Sequence, residues 1–326
     1  GRLFKGHRRV GMATPDPASF TSIDQVIDAF RAQVEYMVAR MIADMQAIEK
    51  GNRDYHPTPL SSMLVDGCLD SGKDLTAGGA LYNSSGVQGV GVADVADSLA
   101  ALDEVVFRRH QYTMAHVLKA LRSNYASSPE VLAALLKAPK YGNDHVQPDD
   151  YANLVARIFH SALAQHRNTR GGPYVSGFYS VTCHIAFGRK VGALPSGRRA
   201  GQPFAASLGP ANGKDRLGPT ALLRSVAHID SKLSPNGYAL NLRFDPQTLA
   251  GDRGTNILVG LVKGFFGSGG MEMQLNVLDP EMLEDARRNP GKYPELVVRV
   301  SGYCAYFDDL PDAAKLEIIS RTCIQA

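Results

Sequence analysis

The sequence predicts an α/β fold, in which helices alternate with short strands. Three observations support this prediction. Apolar residues recur at helical spacing over residues 23–50, whereas the last third carries short apolar runs that are typical of strands. From residue 171, glycines and prolines occur every few residues, which indicates frequent turns between short elements.

The first half of the chain is predicted to be mainly helical. Ser22, followed by Gln25 three residues later, resembles a capping box that opens a long helix ending at Gly51. This helix is expected to pack an apolar face, methionines included, into the core. The further predicted helices are two over 94–121, one over 128–139, and one over 148–166 that is opened by Pro148, Asp149 and Asp150.

In the second half, short strand-like runs are separated by helices. The strand-like runs cover 179–185, 238–244, 274–278 and 296–300, and the helices are predicted at 246–250, 254–265, 280–288 and 311–321. A stretch rich in Gly, Pro and Ala near 200–215 is the best candidate for a domain boundary. A long loop within one domain is the alternative.

The composition is that of an ordinary globular protein. The 326 residues include 35 Lys+Arg and 32 Asp+Glu, for a net charge of +3, and 44% are hydrophobic. The only basic cluster is at the amino end, at Arg2, Lys5, Arg8 and Arg9, so no nucleic-acid surface is expected. No apolar run reaches the roughly 18 residues of a membrane span, so no membrane association is expected either.

Several known site motifs are absent or incomplete. The four cysteines form no C-x-x-C pair, which argues against a structural zinc site and suits a reducing cytoplasm. The run from Gly67 to Lys73 fits a phosphate loop, but Asp74 stands where a magnesium-binding Ser or Thr is required. The close histidine pairs have a spacing of six, which places their side chains on nearly opposite faces of a helix.

One segment near the carboxyl end is more specific. Read alone, residues 297–307 predict a strand, a tight turn at Gly302, and a second strand. The sequence of this segment, Val-Val-Arg-Val-Ser-Gly-Tyr-Cys-Ala-Tyr-Phe, also resembles the signature of glycyl radical enzymes, a family that includes pyruvate formate-lyase and the glycerol and propanediol dehydratases. Further segments resemble that family in the same order: 73–83, 88–99, 141–144, 192–201, 235–237 and 269–277.

The resemblance implies the family's ten-stranded α/β barrel, with the glycine loop inserted into the barrel. Residues 1–206 would form the carboxy-terminal portion of the pyruvate formate-lyase-type domain, and 207–326 the glycine radical domain. The family's thiyl cysteine, in a Gly-Cys motif, would then lie before residue 1. Cys68 is accordingly interpreted as structural.

The resemblance also implies that Gly302 stores the radical. A radical at Cα needs a planar centre, which a Cβ would crowd, so glycine is the residue type that fits. Arg299, Val300, Ser301 and Tyr303 are expected to shape the loop, although ordinary hairpin flanks would look the same. Residues that are expected to line a cavity are Thr182, His184, Phe187, Asn236 and Gly237.

The remaining expectations concern chemistry and partners. A separate activating enzyme, with an iron–sulfur cluster and S-adenosylmethionine, would remove hydrogen from Gly302, and the chain itself would bind no cofactor or metal. The radical would pass to the thiyl cysteine, which cleaves a C–O, C–N or C–C bond in a small polar substrate. A diol-type dehydratase is favoured, in a homodimer in an anaerobic cytoplasm or a bacterial microcompartment.

Three alternatives remain open at this point. One is other chemistry of the same family: formate acetyltransferase, decarboxylase, C–N lyase or arylsuccinate synthase activity. A second is a non-catalytic radical donor that restores a damaged partner, and a third is a protein with the fold but no radical.

Overall fold

Helices and strands alternate along the chain in a computed structural model that describes residues 4–5 and 8–324, so Arg2 of the basic cluster lies outside it. The helices are α1 (Ile23–Tyr55), α2 (Pro59–Met63), α3 (Cys68–Ser71), α4 (Val92–Leu102), α5 (Met114–Arg122), α6 (Pro129–Lys137), α7 (Val146–Ala164), α8 (Cys183–Gly188), α9 (Gly218–Ala227), α10 (Gly251–Gly267), α11 (Pro280–Arg288) and α12 (Asp312–Ser320). The strands are β1 (Phe4–Lys5), β2 (Arg8–Arg9), β3 (Ser85–Gln88), β4 (Tyr174–Gly177), β5 (Asn241–Phe244), β6 (Gln274–Val277), β7 (Val297–Arg299), β8 (Cys304–Tyr306) and β9 (Cys323–Ile324).

Two parallel sheets form the framework. In one, β3 pairs with β4, and in the other β5 lies between β6 and β9. A parallel bridge between Phe178 and Tyr238 joins the end of β4 to the chain entering β5. Parallel strands need long crossover connections, and the helices between them supply those connections. The antiparallel pairs are β1 with β2 and β7 with β8.

The largest core cluster lies between the helices and these strands. Helices α4 and α7 pack against each other and carry fully buried alanines, Ala96 and Ala100 on α4 and Ala152 and Ala156 on α7. Small side chains allow two helix backbones to approach closely. The pair therefore forms a rigid layer behind β4.

Helix α1 is confirmed, but the predicted end at Gly51 is wrong, because the helix continues to Tyr55. Its apolar face is also only partly covered. Val38 and Ile42 are buried, whereas Met37 is 39% exposed and Ile48 is 64% exposed. The prediction that the whole apolar face packs into the core is therefore wrong for part of the helix. Among the described residues, α1 contacts α4, α7 and the segment 75–77.

The start of α1 differs in one detail from a capping box. The Ser22 hydroxyl accepts the backbone N–H of Gln25 at 3.4 Å, as predicted. The Gln25 side chain accepts the N–H of Thr21 at 2.7 Å rather than that of Ser22. One half of the predicted motif is formed, and the other half is moved by one residue.

The prediction of a strand-like run over 179–185 is wrong. Val181 adopts a positive φ of 51°, which ends the extended chain, and helix α8 begins at Cys183. A β-branched residue rarely adopts this conformation, so the local preference for a strand is overridden by the surrounding fold.

The Gly-, Pro- and Ala-rich stretch at 200–215 passes through the interior. Ala205, Ser207 and Leu208 are buried. The Asp94 carboxylate accepts the N–H of Ala205 at 2.7 Å, and the Tyr141 hydroxyl donates to the carbonyl of Leu208 at 3.0 Å. The stretch is thus fixed against α4 and against the loop before α7.

The segment 67–74, which only partly fits a phosphate loop, is held by contacts with neighbouring residues. Gly67 has a φ of 92°, and a Cβ there would lie 2.8 Å from the backbone nitrogen of Leu81. Hydrogen bonds from Thr76 and Ser62 lower the pKa of Asp74 to about 2. Cys68, interpreted as structural, is buried with a free thiol.

Two kinds of feature are absent from the described residues. Within residues 4–5 and 8–324, no group of three or more His, Cys, Asp or Glu side chains could hold a metal ion. Over the same ranges, no helix has both the length and the apolar character that a bilayer crossing needs.

Buried Asp94 makes folding stability depend on pH. Burial raises the pKa of this carboxyl to about 6, against the opposing effects of the Ala205 N–H and the Arg198 charge. Its stabilising contribution is therefore complete below the unfolded pKa of about 4 and is lost as the pH rises through 6. Through Asp94, the free energy of unfolding of the wild type should fall by about 3 kcal/mol between pH 4 and pH 8, as measured by urea denaturation. We expect this decrease to be absent in Asp94→Asn.

Asparagine keeps an oxygen that can accept the Ala205 N–H, so the substitution removes the ionisable group but not this hydrogen bond. The matched control is Asp70→Asn, because Asp70 is exposed. Parallel stability curves for the wild type and Asp94→Asn across this pH range would contradict the prediction.

Candidate active site at the Gly302 hairpin

Gly302 lies at the tip of a two-stranded hairpin formed by β7 and β8. Arg299 pairs with Cys304, and the N–H of Val300 donates to the carbonyl of Tyr303 at 2.9 Å. Ser301 and Gly302 are the two residues between that pair. The predicted strand, turn and second strand are confirmed.

The backbone of Gly302 is in the left-handed region, with a φ of 87°, and the residue is exposed. A Cβ built on Gly302 would meet no described atom within 4 Å. Packing within the described residues therefore does not require glycine at this position. The positive φ favours it, because a side chain in that conformation costs roughly 1–2 kcal/mol.

The base of the hairpin is anchored in its own apolar cluster. Val298, Val300 and Phe307 are buried against Leu283 of α11 and Ile318 of α12. Ile185 of α8 belongs to the same cluster. The hairpin is thus fixed to three helices, while its tip points outward.

Two side chains of β6 hold the backbone of the tip. The Gln274 Oε1 accepts the N–H of Gly302 at 3.0 Å. Asn276 accepts the N–H of Arg299 at 2.8 Å and donates to the carbonyl of the same residue at 2.9 Å. Alternate residues of a strand share a face, so both amides point toward the hairpin.

Arg321 supports the hairpin from the end of α12. Its guanidinium donates to the carbonyl of Arg299 at 3.2 Å and to that of Val300 at 2.6 Å. Glu317, one turn earlier, accepts from the same guanidinium at 2.9 and 3.2 Å. Burial alone raises the pKa of Glu317, but Arg321 and His184 bring it down to about 2, so the carboxylate is charged.

Ser301 turns its side chain inward, although it is next to an exposed glycine. It is fully buried, and its hydroxyl lies 2.7 Å from the hydroxyl of Ser207. Ser207 has a φ of 55°, an unusual conformation for a residue other than glycine. The tip therefore has one solvent-facing residue and one anchoring residue.

The predicted loop residues occupy different positions around the tip. Val300 and Ser301 are buried, and Tyr303 is half-buried. The Arg299 side chain lies on the outer side, where its guanidinium donates to the Cys304 sulfur at 3.2 Å. The backbone of Arg299, rather than its charge, contacts the residues beneath the hairpin.

The residues predicted to line a cavity fall into two groups. His184 is fully buried, with Nδ1 2.9 Å from the Ser180 hydroxyl, while Thr182 precedes α8 and Phe187 is half-exposed on it. Helix α8 contacts α12, so this group is close to the underside of the hairpin.

Asn236 and Gly237 lie elsewhere, beside β4. The Asn236 N–H donates to the carbonyl of Ser176 at 2.9 Å, and the Gly237 carbonyl accepts the N–H of Phe178 at 2.9 Å. The structure therefore places these two residues at the junction of the two parallel sheets.

Models of known families match most of the chain. The pyruvate formate lyase-like model matches residues 1–188, and the glycine radical model matches residues 204–308. The second match includes the whole hairpin from β7 to β8.

Curated relatives align along nearly the full sequence. The chain is 36% identical to trans-4-hydroxy-L-proline dehydratase of Clostridioides difficile over 316 residues, which covers 97% of this chain and 40% of that protein. It is 32% identical to (2S)-3-sulfopropanediol dehydratase of Klebsiella oxytoca, over 99% of this chain and 40% of that protein. The chain thus spans about 40% of the length of these relatives.

Solved structures match the fold closely. The glycerol-bound, B12-independent glycerol dehydratase of Clostridium butyricum has a TM-score of 0.97 at 37% identity, covering 99% of this chain and 41% of that one. Hydroxyproline dehydratase of Clostridioides difficile has a TM-score of 0.95 at 35% identity, covering 98% and 41%. The chain therefore belongs to the pyruvate formate lyase-like family of glycyl radical enzymes, and its fold is part of their α/β barrel.

Proposed function

We propose that Gly302 carries the radical of a glycyl radical lyase that acts on a small polar substrate, with dehydration of a hydroxylated compound favoured. One observation supports this most directly: the glycine at the hairpin tip is exposed and has a positive φ, while its neighbours are anchored. The dehydratase names of the relatives and solved structures favour elimination of water.

Hydrogen bonds hold the backbone around Gly302, but its φ of 87° is not the planar arrangement of a backbone radical, so the residue would rotate as hydrogen is removed. Such a radical is stabilised by the peptide nitrogen on one side and the carbonyl on the other, and these groups must share a plane with Cα. Gln274 fixes the N–H of Gly302, while Arg321 and Asn276 hold the carbonyls and N–H just before it. The peptide units leading into the tip are therefore held before any hydrogen is removed.

The activating step needs access to the glycine. We assign it to a separate enzyme with an iron–sulfur cluster and S-adenosylmethionine, which removes one hydrogen atom from the Cα of Gly302. The exposed tip supports this assignment, because the Cα is not covered by described residues. Within the protein, residues 207–326 would act as the glycine radical domain and 1–206 as the carboxy-terminal portion of the pyruvate formate-lyase-type domain.

The thiyl cysteine that receives the radical would come from outside residues 1–326, since the chain spans about 40% of its relatives. The substrate would then be bound between that cysteine and the hairpin. A homodimer and an anaerobic cytoplasm complete the proposal.

The radical assignment predicts a specific spectrum. After anaerobic activation, the protein carrying residues 1–326 should give a doublet by electron paramagnetic resonance, because one hydrogen remains on the Cα of Gly302 and couples to the unpaired electron. Growth on glycine deuterated at Cα should collapse the doublet, and Gly302→Ala should abolish the signal. A wild-type protein without a signal would overturn the proposal.

The matched control for Gly302→Ala is Gly291→Ala. Gly291 also has a positive φ, of 82°, and a Cβ there would meet no described atom within 4 Å. Both substitutions carry the same backbone cost of roughly 1–2 kcal/mol. We expect Gly291→Ala to retain the doublet, so that strain alone does not explain the loss at position 302.

Exposure to air provides an independent test of the position. Oxygen should add to the radical and cut the backbone at Gly302, giving a chain that ends near Ser301, as measured by mass spectrometry of the intact protein. Cleavage should be absent without activation and absent in Gly302→Ala. A cut at another glycine, or an intact chain despite a signal, would place the radical elsewhere.

A further inference from the structure

Beneath the hairpin, the residues that touch it are themselves in contact with further buried polar side chains from distant parts of the chain. Arg321 holds the carbonyls of Arg299 and Val300 and is itself held by Glu317. The Oε1 of Glu317 also faces the Nε2 of His184 at 3.6 Å. The side chains of Arg321, Glu317 and His184 are each less than one tenth exposed. Arg299 contributes through its backbone.

The environment of His184 determines where its hydrogen lies. The imidazole is fully buried, and Glu317 is the only group that faces its Nε2 among the described residues. A charged carboxylate opposite a bare ring nitrogen would be repulsive, so Nε2 carries a hydrogen. The other ring nitrogen, Nδ1, shares a hydrogen bond with the Ser180 hydroxyl at 2.9 Å.

Ser180 connects the histidine to the tip through Ser207. The N–H of Ser180 donates to the Ser207 hydroxyl at 3.1 Å, and the N–H of Ser207 donates to the Ser180 hydroxyl at 3.2 Å. This reciprocal pair fixes Ser207 in its positive-φ conformation. The Ser207 hydroxyl then contacts the Ser301 hydroxyl at 2.7 Å, directly before Gly302.

These contacts close on themselves. They begin at the Val300 carbonyl and return to Ser301, the next residue, through side chains on α8, on α12 and in the loop after residue 200. We call this set the buried polar ring; its members are Ser301, Ser207, Ser180, His184, Glu317 and Arg321. The members are joined by hydrogen bonds except at His184 and Glu317, whose Nε2 and Oε1 are 3.6 Å apart and form a longer electrostatic contact. Removing a hydrogen-bonded member leaves a buried polar group without a partner.

We propose that His184 and Glu317 are positioning residues for Gly302: they do not contact the glycine, but they hold Ser301 and Val300 through the buried polar ring. The inference rests on the proposed function of Gly302. Opening the ring at His184 releases Ser207 and Ser301, and the tip can then leave the position at which hydrogen is exchanged with its partner. The outer side of the hairpin, at Tyr303 and Cys304, has no comparable buried anchor among the described residues.

The first test does not need the radical. Amide hydrogen exchange, measured by mass spectrometry on the unactivated protein, should be about tenfold faster at residues 299–303 in His184→Gln than in the wild type. Exchange in β5 and β6 should be unchanged. Ser207→Ala should have the same effect, and the double variant should exchange no faster than the faster single variant, because both substitutions open the same ring.

Ser225→Ala is the matched control. Ser225 is fully buried, and its hydroxyl donates to Asp149 at 2.9 Å, outside the ring. We expect it to leave exchange at 299–303 unchanged. The inference is overturned if His184→Gln leaves that exchange within twofold of the wild type, or if the effects of His184→Gln and Ser207→Ala multiply. Should His184→Gln not fold, Glu317→Gln replaces it in the same cycle with Ser207→Ala.

The second test uses the activated protein. Product formation divided by the spin count should fall about tenfold in His184→Gln and in Ser207→Ala, but not in Ser225→Ala. Counting turnovers per spin removes any loss caused by misfolded chains, because only folded, activated chains carry a spin. Unchanged turnover per spin would contradict the positioning role, whereas a wild type without spin would contradict the proposed function and leave the exchange experiment valid.

Discussion

Backbone polar groups that are removed from water must find hydrogen-bond partners, and this constraint governs the buried residues that precede Gly302. Among the described residues, β7 and β8 pair only with each other, so no third strand supplies these partners. Side chains do so instead. Gln274 and Asn276 accept backbone N–H groups of the hairpin, and Arg321 donates to a backbone carbonyl.

Supplying a cation to buried carbonyls creates a second requirement. A buried guanidinium is costly unless it is paired and fully hydrogen-bonded, and a buried pair often adds little net stability. Here Glu317 neutralises Arg321, and the remaining donors of Arg321 go to the hairpin. The main effect of the ion pair is therefore to fix the positions of the Arg299 and Val300 carbonyl groups rather than to stabilise the fold.

The sequence predicts the regular elements well, because periodicity determines them: α1, α7 and the β7–β8 hairpin lie where the pattern indicates. It fails at 179–185, where Val181 is forced into a turn by its surroundings. The partners of the tip could have been found in part. Gln274 and Asn276 are polar residues at alternate positions of an otherwise strand-like run, and Glu317 and Arg321 have helical i, i+4 spacing. The Ser180–Ser207 pair could not have been found, because it depends on the conformations of two irregular loops.

The open space around the Cα of Gly302 means that packing among the described residues does not determine which residue occupies position 302. An asparagine, which tolerates positive φ, could replace the glycine and leave the hairpin, its ion pair and its apolar cluster in place. On the proposed assignment of the radical to Gly302, a chain that retains every anchoring residue but lacks this one glycine would keep the scaffold and lose the radical.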